Sequence, residues 1–124
     1  MSWSSLEHLR RGAPVQVRAW QEGVETDTTV VGWFLSYCTF VLLDHPEAGS
    51  AVESALDNAP VELLSLMLAR LKEQRRADGR WYWYAGGGVC GPYRPERPIA
   101  DPDQEDAIHR FKACLEHYLN RRRA

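Results

Sequence analysis

The sequence predicts a single α+β domain spanning residues 1–124, an antiparallel sheet packed against two main helices. Three observations lead there. A short segment from residue 14 alternates apolar and polar side chains, and the run after residue 27 is rich in β-branched and aromatic residues. Two later segments repeat apolar residues at helical spacing. Strands and helices mixed along the chain, without strict alternation, favour helices gathered on one face of an antiparallel sheet.

Each element follows from its residues. "PVQVRAW" (14–20) puts Val15, Val17 and Ala19 on one face of a strand and Gln16, Arg18 and Trp20 on the other. "QEGVETD" (21–27) is a polar turn around Gly23. "TTVVGWFLSYCTFVLL" (28–43) is too long for one ordinary strand, so it is split near Ser36 into strands 28–35 and 37–43, with Gly32 a bulge or a close approach. These three strands form a meander.

Ser50 and Glu53 have the spacing of a capping box before a short helix over 51–57. Pro60 suits the first turn of a second helix, 60–76, whose broad apolar face includes Val61, Leu63, Leu64, Met67, Leu68 and Leu71. "RWYWYA" (80–85) and "VCGPY" (89–93) make a hairpin around three glycines. Asp101, Pro102 and Gln104 then start a last helix over 102–121, with Ile108, Phe111, Leu115, Tyr118 and Leu119 on one stripe.

One stretch invites comparison. "VVGWFLSYCTFVLLD" (30–44) resembles the centre of a small Sm-like or SH3-like barrel, with an early glycine in a bent strand and a Val-Leu-Leu-Asp run closing the next. The resemblance implies a bent meander. It carries no RNA contact, because "SYCTF" lacks the Asp and Asn that the Sm-like pattern has there.

Composition bounds the function. The chain is 44% hydrophobic and 26% charged, ordinary for a globular protein, and low-complexity disorder is not indicated. No run of about 18 apolar residues exists, and "MSWSSLEHLRRG" lacks the basic-then-apolar pattern of a signal peptide, so a cytoplasmic protein with no membrane contact is expected. Cys38, Cys90 and Cys114 are odd in number and widely spaced, which favours reduced thiols over a disulfide framework. Residues 1–60 carry three basic residues against eight acids, and residues 61–124 carry twelve against nine. The cations gather in "ARLKEQRRADGR" (69–80) and in Arg121–Arg123, at or near helix C-termini where the dipole favours them.

Most chemistries fail on spacing. "GGGVCG" (86–91) satisfies G-x-G-x-x-G, but Pro92 follows where a helix must open to hold a pyrophosphate. Cys90 has no local base, and His8, His45, His109 and His117 form no recognisable signature with it. Cys114 and His117 could share a helix face, yet two ligands make no zinc site. No catalytic residue, metal ligand or cofactor is therefore assigned.

The aromatics remain. Alternation sends Trp81 and Trp83 to one face of a strand and Tyr82 and Tyr84 to the other. One pair can fill the core, while the other must find cover from a helix, another chain or a ligand, or stand in solvent. Trp3, Trp20 and Trp33 raise the same demand. The expected function is a non-enzymatic protein-binding module, self-association as a homodimer included, with Arg80, Trp81, Tyr82, Trp83, Tyr84, Tyr93 and Arg94 as its contacts. By analogy, such a protein would suit an accessory or inhibitor role in a mobile genetic element. The alternative is single-stranded nucleic-acid binding, with residues 81–84 stacking bases and Arg75, Arg76, Arg80 and Arg94 holding phosphates.

Overall fold

Residues 28–43, expected as the heart of a sheet, lie within one continuous helix. The computed structural model describes residues 4–74 and 102–123. These residues make five helices: α1 (Ser5–Gln21), α2 (Asp27–Asp44), α3 (Gly49–Leu56), α4 (Val61–Gln74) and α5 (Pro102–Arg123). There is no strand among the described residues. The α+β reading, its three-strand meander and the barrel resemblance of 30–44 are thereby corrected to an α-helical bundle. The expected hairpin, 80–85 with 89–93, lies outside the described residues.

Length separates the two readings of 28–43. An apolar run of four to eight residues fits a buried strand, whereas one twice as long fits a helix buried on all sides. Residues 30–36 are all buried, which is about two turns without an exposed position. Such a helix must lie at the centre of the fold. α2 does, packing against each of the other four helices. The β-branched residues cost only a few tenths of a kcal/mol each in helix propensity, which burial easily exceeds. Gly32 and Ser36, read as a bulge and a strand break, are buried within this helix. Its N-terminus is locally encoded, since the Thr26 hydroxyl accepts from the Thr29 amide and Asp27 adds an acid to the first turn.

α1 overturns the alternation of 14–20 in a similar way. Leu9, Ala13 and Val17 recur every four residues and are its buried positions, while Val15 is 58% exposed. Seven residues were too short a window to distinguish the periods. Pro14 lies inside the helix. The polar turn around Gly23 is a turn, but it joins two helices. Gly23 takes φ 72° as the Gly23 amide donates to the Trp20 carbonyl (3.2 Å) and the Val24 amide to the Ala19 carbonyl (2.9 Å). These are the two bonds of a Schellman helix stop, which requires a left-handed residue.

The three expected helices are present with shifted ends. That of 51–57 is α3, and it begins at Gly49 without a side-chain cap, so Ser50 lies inside its first turn and closes no capping box. Those of 60–76 and 102–121 are α4 and α5. The stripe Ile108, Phe111, Leu115, Tyr118 and Leu119 is buried, as are Leu63, Leu64, Met67 and Leu71. These side chains meet Phe34, Cys38 and Val41 of α2 in one continuous core with the apolar faces of α1 and α3.

Candidate functional site

Every residue chosen from the sequence as a contact, namely Arg80, Trp81, Tyr82, Trp83, Tyr84, Tyr93 and Arg94, lies outside the described residues. So do Arg75, Arg76 and Cys90. The remaining candidates can be placed.

Trp20 and Trp33 were counted among aromatics in need of cover, and both have structural work. Trp33 is buried where α1 meets α2, edge-on to Phe34 (centroids 5.0 Å apart) and tilted against Tyr37 (4.9 Å). Tyr37 also meets the His8 ring at 5.5 Å and Phe40 at 6.1 Å, so an aromatic ladder runs along the α1–α2 seam. Trp20 donates its indole N–H to Asp27 Oδ1 at 2.6 Å, which ties the end of α1 to the start of α2. At the opposite end of this antiparallel pair Ser5 Oγ donates to Asp44 Oδ2 at 2.7 Å.

The two described thiols are poorly suited to nucleophilic work. Cys38 is wholly buried, and burial pushes its thiol far above the ordinary range. Cys114 is partly buried, with Sγ 3.8 Å from the Gly49 carbonyl oxygen. Its pKa is pushed up to about 11, first by burial and then by the Glu53 carboxylate, with Arg121 opposing. A thiol at that value is protonated at neutral pH. His117 is exposed. Among the described residues, no group of three or more His, Cys, Asp and Glu could hold a metal ion.

One polar constellation does form, and sequence reasoning missed it. It lies at the C-terminal end of α5, over the connection from α3 to α4. The Tyr118 hydroxyl donates to Asp57 Oδ1 in a short hydrogen bond. Burial, then the bond to Asp57, raises the Tyr118 pKa, against the pull of Arg122. Arg121 pairs with Glu53 at 3.4 Å, Arg122 donates to the Ala59 carbonyl at 2.7 Å, and Arg123 donates to Ser65 Oγ at 2.8 Å. The guanidinium carbons of Arg121 and Arg122 stand 5.5 and 5.7 Å from the centre of the Tyr118 ring, within cation–π range. The terminal arginine run thus reaches three successive points on α3, the α3–α4 connection and α4. Its partners are some 60 residues away in sequence, so no local motif could have announced it. Earlier on α5, Arg110 pairs with Asp106 at 2.7 Å and reaches the Pro46 carbonyl at 3.5 Å.

What this cluster does chemically is hold elements together. Asp57 and Tyr118 form a polar pair at the margin of the core, and no second carboxylate is bonded to Tyr118 among the described residues. None of the described helices is long and apolar enough to cross a membrane. Comparison with protein-family models, with curated proteins and with solved structures finds no match for this chain.

Proposed function

We propose that this chain is a non-catalytic protein-binding module. The helical bundle serves as a scaffold, and the stretch between α4 and α5 carries the contacts. The observation behind this reading is how the described bundle uses its apolar residues. Its core draws on all five helices, and its large apolar side chains are covered except for Val15, Val24 and Leu66. The densest aromatic run of the sequence, Trp81 to Tyr84, lies outside the described residues and is what the sequence adds to that bundle. Tryptophan and tyrosine grouped in this way are the residue types that anchor protein interfaces. A second copy of the chain is the first partner to test.

The alternative is a single-stranded nucleic acid held by residues 81–84 with Arg75, Arg76, Arg80 and Arg94, all outside the described residues, and the terminal arginines are no part of it. Arg121–Arg123, one of the two cationic stretches, are engaged by the chain's own α3 and α4. The deciding experiment is sedimentation of the wild type across a concentration series, beside Trp83→Ala and Tyr84→Ala. Concentration-dependent association lost in both variants, with thermal stability unchanged, supports the module. Variants that lose stability while associating normally would overturn it. Binding of an oligo-dT probe that weakens steeply with salt would transfer the site to the nucleic-acid reading.

A further inference from the structure

We propose that the C-terminal turn and a half of α5, residues 118–123, is a clasp that holds α3 and the connection after it closed on the bundle, and that α3 opens as one local unit when the clasp is released. This does not depend on the binding role proposed above.

α3 cannot be stable on its own account. It has eight residues, and its N-terminus has no side-chain cap. Isolated helices of that length are not formed in water, because nucleation costs more than so few hydrogen bonds return. Its order must come from tertiary contacts. Val52, Ala55 and Leu56 supply the apolar part by turning into the core. The polar part includes contacts from α5. Arg121 reaches Glu53 within α3, and Tyr118 takes Asp57 at its C-cap. Arg122 takes the carbonyl of Ala59, and Arg123 reaches past the connection to Ser65 in α4. Four consecutive anchoring points along 53–65 are therefore served by a single turn and a half of another helix.

The two sides are also unequal in strength. Arg121 and Glu53 are 55% and 29% exposed, an ion pair that water and salt weaken. The bond from Arg122 to a backbone carbonyl and the bond between Tyr118 and Asp57 are charge-assisted and partly buried. Release consequently needs the Tyr118 and Arg122 contacts to go, and raising the salt concentration alone does not suffice. What release uncovers is the apolar face of Val52, Ala55 and Leu56, hidden in the closed form. The α1–α2 pair, tied at both ends by Ser5–Asp44 and Trp20–Asp27, stays intact.

Native-state hydrogen exchange tests this on the full chain, as wild type, as the R121A/R122A/R123A triple variant and as Tyr118→Phe. The amides of 52–57 should exchange at least about tenfold faster in the triple variant, and faster to a smaller degree in Tyr118→Phe. The amides of α1 and α2 should keep their wild-type protection in both. Equal acceleration throughout the chain would show ordinary global destabilisation and overturn the clasp. Acceleration confined to the end of α5 would show that the arginines serve only their own helix, and would overturn it as well.

Discussion

Gly12 and Trp33 are in such close approach that no side chain fits between them. A methyl group built on Gly12 would meet the indole ring, with Cη2 at 2.8 Å, Cε2 at 3.2 Å and Cζ2 nearer still. Here the glycine is required by its neighbour across the seam and not by its own backbone angles. Its absent side chain is the space in which Trp33 is buried.

Gly12→Ala should therefore destabilise the protein, although alanine favours a helix by about 1 kcal/mol over glycine. Overpacking a filled site costs roughly 1–3 kcal/mol, so a net loss of up to about 2 kcal/mol is expected by denaturant titration. In a Trp33→Phe background the same substitution should be nearly neutral or stabilising. Additivity of the two changes would reject the contact.

Val15 and Val17 separate the helical reading of α1 from the strand reading. In a strand they share a face; in α1 one is exposed and the other is 4% exposed. Val17→Ala should cost about 2 kcal/mol, from two buried methyl groups at about 0.8 kcal/mol each and the cavity they leave. Val15→Ala should fall within about 0.5 kcal/mol of the wild type.

The bond from Trp20 to Asp27 predicts a modest effect measurable in the same titrations. Trp20→Phe keeps an aromatic ring against the core but removes the N–H with part of the indole, and should cost at least about 1 kcal/mol. Asp27→Asn, which retains an acceptor, should cost less. A loss in Asp27→Asn with none in Trp20→Phe would place the effect in the charge at the start of α2 and not in the hydrogen bond.

Alkaline pH should destabilise the fold through its thiols. An unfolded cysteine ionises near the ordinary value of 9.0, whereas the folded Cys114 does so only at about 11. Between those values the unfolded chain has lost a proton that the folded chain retains, so the equilibrium shifts towards unfolding as pH rises. Below pH 9 the thiol makes no pH-dependent contribution. Thermal melts from pH 8 to 11 should fall in the wild type and fall less in Cys114→Ala. A thiol reagent at pH 7 should label Cys38 only as fast as the protein unfolds.

The sequence by itself determined the helices whose apolar residues recur at unambiguous spacing. α4 and α5 are legible in Leu63, Leu64, Met67 and Leu71, and in Phe111, Leu115 and Tyr118, because a half-buried helix writes its period in the contrast between its faces. α2 writes no such contrast. Buried on every side, it shows only composition, and the composition of Val30, Val31, Trp33, Phe34 and Val41 is that of a strand. Only the tertiary structure decided its form, by surrounding it with four helices that make burial outweigh propensity. The same holds for the polar cluster at the end of α5, where Arg121–Arg123 read locally as an exposed helix end. Their partners Glu53, Ala59 and Ser65 adjoin them only once the chain has folded back, since hydrogen bonds act over a few ångströms and take no account of separation along the sequence.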